Sequence, residues 1–146
     1  MNYASDRNSC NRYTTLIANK TKFMSTGLFA GAGGLALGLE NAGFNHNLLV
    51  EIDKHAAATL KNNRPNWHVV CDDAKKLFFL GRPPDVVTGG FPCQSFSYAG
   101  NRLGFEDTRG TLFFELARCI KELKPKIAVG ENVRGLVTHN NGKTLQ

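Results

Sequence analysis

Cys93 stands in GGFPCQSFS (Gly89 to Ser97), one residue after the apolar run PDVV. A thiol at the end of a strand can be a nucleophile, a metal ligand or a small apolar filler. Packing is the ordinary reading for a lone cysteine. A loop of Gly, Pro, Gln and Ser is poor core material, however, and Pro92 limits the backbone freedom that presents the thiol. Glu131 stands in ENV, at the end of a later apolar run, KIAVG. A thiolate and a carboxyl group in one cleft suit attack on an electron-poor ring. The sulfur adds to a ring carbon while the carboxyl group hydrogen-bonds or protonates a ring nitrogen, drawing charge away. Nucleophile is the reading that accounts for the surroundings of Cys93.

A second group of residues suits a ligand. Gly31, Gly33 and Ala36 in GAGGLA satisfy the pattern G-x-G-x-x-G/A, and Glu51 follows about 20 residues on. Glycines let the backbone approach a ligand closely, and a helix N-terminus favours a negative group. Glu51 is placed to accept hydrogen bonds from both ribose hydroxyls of an adenosine. Phe29 and Ile52 would then contact the adenine, and Asp72 or Asp73 would reach its exocyclic amine. The pattern indicates an adenosine-containing cofactor and does not separate NAD from S-adenosylmethionine.

The elements that must position these residues alternate strand and helix. TGLFAG reads as a strand entering a glycine turn, and GLALGLENAG as a helix with Leu35 and Leu39 one turn apart, stopped by Gly43. NLLVEI is a strand, after which Asp53 caps a helix over KHAAATLKN that ends before Pro65. WHVVC is a third strand, AKKLFFL a short helix and DVVTGG the fourth strand. Asp107 or Thr108 caps a long helix through TLFFELARCIKEL, with Phe113, Leu116, Ala117 and Ile120 on one face. KIAVG is the fifth strand. Strands separated by helices at this spacing imply βαβ units and a parallel sheet covered on both faces. Ligands bind such sheets at the carboxyl ends of the strands, where the strand order reverses.

The 146 residues fit one domain. No apolar run approaches a membrane span and no signal segment opens the chain, so a cytoplasmic protein is expected. Cys10, Cys71, Cys93 and Cys119 contain no CxxC pair, and His46, His55, His68 and His139 are scattered singly. No metal site or disulfide framework is expected, and the histidines read as surface or loop residues. The net charge of +6 biases the chain mildly towards polyanions. Residues 1–22, with Arg7, Arg12, Lys20 and Lys22 against Asp6, read as a polar basic arm, a solvated leader rather than a DNA contact.

From Thr26 to Gln146 the chain closely resembles the N-terminal part of a DNA (cytosine-5)-methyltransferase of the bacterial restriction-modification kind. LFAGAGGLALGLENAGF is similar to the family's cofactor motif and GGFPCQSFS to its catalytic loop. GFEDTRGTLFFE and ENVRGL follow in the family's order. The resemblance implies a Rossmann-like α/β fold of the S-adenosylmethionine-dependent methyltransferase type, with about five strands present. It implies Cys93 as the nucleophile on cytosine C6, Glu131 on N3, and Pro92, Gln94 and Asn132 as support for the catalytic loop. Phe29, Gly31, Gly33, Glu51, Ile52, Asp72 and Leu112 would hold S-adenosylmethionine, leaving S-adenosylhomocysteine as product. Double-stranded DNA is the implied partner, with the target base flipped out of the duplex. Gly27 departs from the pattern, since the family usually has an acidic or serine residue there.

Residues 23–146 are thus expected to form the front part of a cofactor-binding and catalytic domain. The family's target-recognition region and C-terminal motifs do not occur in this sequence. A truncated form, or one half of a split enzyme that pairs with a complementary half or subunit, fits that pattern. Such a chain is expected to be inactive alone, with its fifth strand at an exposed sheet edge. Two other classes compete. An NAD-dependent oxidoreductase explains the glycine turn and Glu51 but not FPCQS followed by ENV. A non-catalytic nucleic-acid or partner-binding module on the same fold leaves the nucleophile motif of the complete protein without a purpose, and stands as an alternative for this chain alone. Some family members methylate transfer RNA, but no feature favours RNA, and DNA stands.

Overall fold

Alternating short apolar runs and helical stretches build the chain as strand, helix, strand. The computed structural model describes residues 23–91 and 112–138. In order these are β1 (Phe23–Leu28), α1 (Gly34–Asn41), β2 (Phe44–Glu51), α2 (Lys54–Asn63), β3 (Val69–Cys71), a 3-10 turn (Ala74–Lys76), β4 (Val86–Gly90), α3 (Leu112–Leu123), β5 (Ile127–Glu131) and the single turn α4 (Gly135–Thr138). The five strands form one parallel sheet in the order β3-β2-β1-β4-β5. The chain moves outward from β1 to β3, returns beside β1 as β4, and moves outward again to β5.

Period-two alternation divides the core between the two sheet faces. Leu28, Val50 and Val87 pack with Leu116, Cys119 and Leu123 of α3. Leu49 and Val69 pack with Ala36 of α1 and Ala57 and Leu60 of α2. Each fully buried Leu or Val contributes about 1.5–3 kcal/mol relative to exposure. Asp53 accepts the Ala56 N–H at 2.7 Å and caps α2 as expected.

Several details differ from the sequence reading. The buried residue of α1 is Ala36, while Leu35 is 41% exposed. Ala36 packs with Leu49 of β2 and with Ala57 and Leu60 of α2. On α3 the buried line is Leu116, Cys119 and Leu123, with Phe113 and Ile120 flanking it and Ala117 only half-buried. Cys119 is therefore a core residue, and burial pushes its thiol up to about 12. AKKLFFL is not a helix. After the 3-10 turn, Phe79 points inward while Phe78 and Leu80 are 84% and 88% exposed, an alternation that belongs to extended chain.

His46 is neither on a loop nor on the surface. It lies half-buried on β2, 2.6 Å from Ser25 Oγ through Nδ1, with its ring edge-on to Trp67. Its Nε2 is buried with no hydrogen-bond partner among the described residues. Burial lowers its pKa below the usual 6.5, and Glu40 on α1 opposes that only in part. Glu40 itself accepts from Trp67 Nε1 at 2.8 Å and Arg64 Nε at 3.1 Å, which holds it ionised. A histidine kept neutral in the folded state binds fewer protons than in the unfolded chain. Its stabilising contribution is complete above pH 6.5 and is lost as the pH falls through the lower folded value. Denaturant melts between pH 7.5 and 5 are expected to show falling stability, with a flatter profile in His46→Gln (a window of order two pH units set by the histidine range). Parallel profiles for the two proteins would refute this.

The fifth strand lies at a sheet edge, as expected, and all five of its residues are exposed, Ile127 at 60%. Among the described residues, no helix is long and apolar enough to cross a membrane, and no cluster of His, Cys, Asp or Glu is arranged to hold a metal. Residues 1–22, with the basic arm, and Asp107, Thr108 and His139 lie outside the described residues.

Candidate cofactor cleft and active site

The carboxyl ends of β1, β2 and β4 open into a cavity of about 420 Å³, within the range of small-molecule sites. Phe29, Glu51, Ile52, Asp72 and Leu112 all line it, together with Asp73, Ala74, Lys75 and Gly90. Five of the seven cofactor positions named from the sequence therefore meet in one place. Their sites follow from the sheet. Phe29 and Ile52 come directly after β1 and β2, Glu51 ends β2, and Asp72 follows β3. Phe29 has φ 56, a left-handed conformation that is costly for a residue with a Cβ. Ile52 is 63% exposed, an apolar side chain left in water beside the cavity.

Glu51 is buried, and its carboxylate joins two loops. Oε2 accepts the Gly31 N–H at 2.6 Å, and Oε1 accepts the Asp53 N–H at 2.8 Å. Each oxygen retains a second lone pair, enough to receive a pair of hydroxyl donors. Asp72 Oδ1 accepts the Asp73 N–H at 2.7 Å and the Lys76 ammonium at 3.2 Å, and these bonds hold its pKa below the ordinary carboxylate value. The cavity thus presents an aromatic ring, an aliphatic face, and the carboxylates of Glu51, Asp72 and Asp73 at the carboxyl ends of the neighbouring strands β2 and β3. That donor-seeking, partly apolar set fits an adenosine.

Gly31 and Gly33 do not line the cavity. Gly31 reaches it only through its N–H on Glu51. Gly33 precedes α1 at φ 90, and a Cβ there would lie 2.5 Å from Leu60 Cδ2 and 3.2 Å from Trp67. Its glycine is a packing and backbone requirement. Gly27 has a similar cause, because a Cβ would stand 2.9 Å from Leu49 Cδ2. Ala74 and Lys75 were missed as cavity walls, because AKKLFFL reads as a helix that would carry them elsewhere, and Gly90 at the end of β4 was missed beside them.

A second, smaller cavity adjoins the first through Phe29 and Gly90, and Glu131 lines it. Glu131 pairs with Gly90 across β4 and β5, so the ends of the fourth and fifth strands lie side by side as the sequence requires. A Cβ on Gly90 would come within 3.3 Å of Glu131 Oε2, so glycine keeps that approach open. Asn132 Nδ2 donates to the Phe91 carbonyl at 2.9 Å, where the chain leaves β4. Pro92, Cys93 and Gln94 lie outside the described residues.

A crystal structure of an Escherichia coli prophage protein described as a DNA modification methyltransferase superposes with a TM-score of 0.68 at 33% identity, over 84% of this chain and 35% of that one. The sheet order, helices on both faces and cleft at the strand ends define the Rossmann-like fold of the S-adenosylmethionine-dependent methyltransferases. Residues 23–146 match C-5 cytosine-specific DNA methylase, and the chain belongs to that family. It is 62% identical over 120 residues to the type II methyltransferase M.PspPI of Psychrobacter sp., covering 81% of this chain. A type II methyltransferase of Escherichia coli is 60% identical over 82% of this chain, and one of Staphylococcus aureus 54% over 81%. The chain spans only 29% of the length of each of these three relatives.

Proposed function

We propose that the complete protein transfers a methyl group from S-adenosylmethionine to C5 of cytosine in duplex DNA. This chain would supply the cofactor cleft and the residues that activate the base. The observation that carries the reading is the meeting of Phe29, Glu51, Ile52, Asp72 and Leu112 around one cavity beside Glu131. Glu51 would take the ribose hydroxyls, Phe29 and Ile52 the adenine faces, and Asp72 the exocyclic amine. Bound there, the cofactor supplies an electrophilic methyl group on a sulfonium.

The chain's own residues act on the cytosine, which is extruded from the duplex to be reached. The Cys93 thiolate adds to C6, and Glu131 hydrogen-bonds or protonates N3, so the electron pair of the C5–C6 bond becomes available at C5. C5 takes the methyl group. Loss of the C5 proton then restores the double bond and expels the Cys93 sulfur. Asn132, bonded to the Phe91 carbonyl, would support the chain just ahead of Pro92, Cys93 and Gln94. Duplex DNA is the partner, in the bacterial cytoplasm. A complementary C-terminal half or subunit would cover the exposed β5 edge and provide sequence recognition. The chain alone is inactive in this reading.

Calorimetry of the purified chain with S-adenosylhomocysteine, against NAD as control, tests the cleft. Binding of the first alone is expected, and NAD binding in its place would overturn the reading. Methyl transfer to duplex DNA by this chain alone, abolished by Cys93→Ala, would overturn the expected inactivity.

A further inference from the structure

Arg118 on α3 has an acceptor for each of its five N–H groups. Nε and Nη2 donate to Glu115 Oε2 at 2.9 and 2.7 Å. Nη2 also donates to the Ala74 carbonyl at 2.7 Å, and Nη1 donates to the Leu77 carbonyl at 2.9 Å and Glu122 Oε1 at 3.0 Å. The second oxygen of Glu122 accepts the Phe79 N–H at 2.9 Å, a bond that holds the Glu122 carboxyl below its usual range. The Phe79 ring lies 5.1 Å from the guanidinium carbon. Three backbone groups of the 74–79 segment therefore end on two side chains of one helix.

That segment starts with Ala74 and Lys75, which form part of the wall of the larger cavity. Apart from the three-residue 3-10 turn it has no regular structure to satisfy its backbone, so side chains of α3 do so. Asp72 and Asp73 lead into it, Ala74 and Lys75 line the cavity, and α3 itself contributes Leu112. Asp72 spends Oδ1 on the Asp73 N–H and Lys76, and Oδ2 has no partner among the described residues. An ionised carboxylate accepts and cannot donate. Where Asp72 stands therefore decides whether a base offering an amine at that edge is preferred over one offering a carbonyl.

We propose that Arg118 is a positioning residue: by holding the Ala74 and Leu77 carbonyls, it sets the place of Asp72 and with it the preference for an amine-bearing purine. This rests on the adenosine reading of the cavity. Lysine cannot replace the planar fork, because its donors diverge from one point and do not span two carbonyls and two carboxylates at once.

The test compares the full chain with Arg118→Lys, measuring affinities for S-adenosylhomocysteine and for its inosine counterpart, in which a carbonyl replaces the amine. The unaltered chain is expected to prefer the amine. In Arg118→Lys, folded by circular dichroism, that preference is expected to shrink about tenfold, the order expected when a polar match is blurred. A merely structural arginine would lower both affinities together and leave their ratio unchanged, which would overturn the inference. Should Arg118→Lys not fold, Glu122→Gln decides in the same way, by a reduced or an unaltered ratio. If the unaltered chain binds both compounds equally, the role of Asp72 falls while the cavity reading survives. If it binds neither, the adenosine reading fails and takes this inference with it.

Discussion

Glu51→Gln is expected to weaken S-adenosylhomocysteine binding at least a hundredfold, about 2.8 kcal/mol at about 1.4 kcal/mol per tenfold. The carboxylate receives backbone N–H groups on both oxygens, from Gly31 at 2.6 Å and Asp53 at 2.8 Å. An amide has only one oxygen. Its NH2 group must face one of these donors, which sit on the carboxylate at hydrogen-bond distance. A buried donor left unmatched costs about 1–3 kcal/mol. Either the glycine turn or the start of α2 shifts, and the lone pairs offered to the ribose shift with it. Calorimetry gives the affinity, and a thermal melt separates lost binding from lost folding. An affinity within a few-fold of the unaltered chain would show that Glu51 only ties the two loops together.

Gly33→Ala is expected to destabilise the fold by about 3 kcal/mol, from overpacking and a strained backbone together. The new methyl group would stand 2.5 Å from Leu60 Cδ2. Leu60 is buried among Ala36, Leu49, Ala57 and Val69, so it has little room to withdraw. Gly31→Ala is the natural contrast. Its φ of 55 carries a similar strain, but nothing lies within 4 Å of the added carbon. About 1 kcal/mol is expected there. Urea midpoints of the two variants measure the difference, and equal losses would mean that Leu60 and Trp67 repack freely.

Much of the cleft was legible because strand ends are marked locally. An apolar run gives way to Phe29, to Glu51 and Ile52, or to Asp72, and a parallel sheet brings such ends together whatever the details of packing. The exceptions depend on partners distant in the sequence. Gly33 looks like a cofactor glycine until Leu60 and Trp67 arrive beside it. His46 looks solvated until Ser25 and Trp67 enclose it. The period-two alternation of Leu77 to Leu80 was hidden by the helix-forming residues before it. Arg118 then took the backbone bonds a helix would have made for itself. Cys119 was passed over on α3 because three bulkier neighbours already supplied an apolar face.

The return of the chain to β1 also orders events in time. Contacts between β1 and β2 join residues about 20 apart, as Ser25 and His46 illustrate at a separation of 21. Contacts between β1 and β4 join residues 61 apart, as with Met24 and Asp85. Longer loops close more slowly and at a higher entropic cost. A nascent chain that has made β1, α1 and β2 can pair them at once, yet it holds only half of a ligand site. The cleft belongs to the seam between an early-folding unit and a late one, so a ligand that bridges the seam also acts as a clasp on the final folding step.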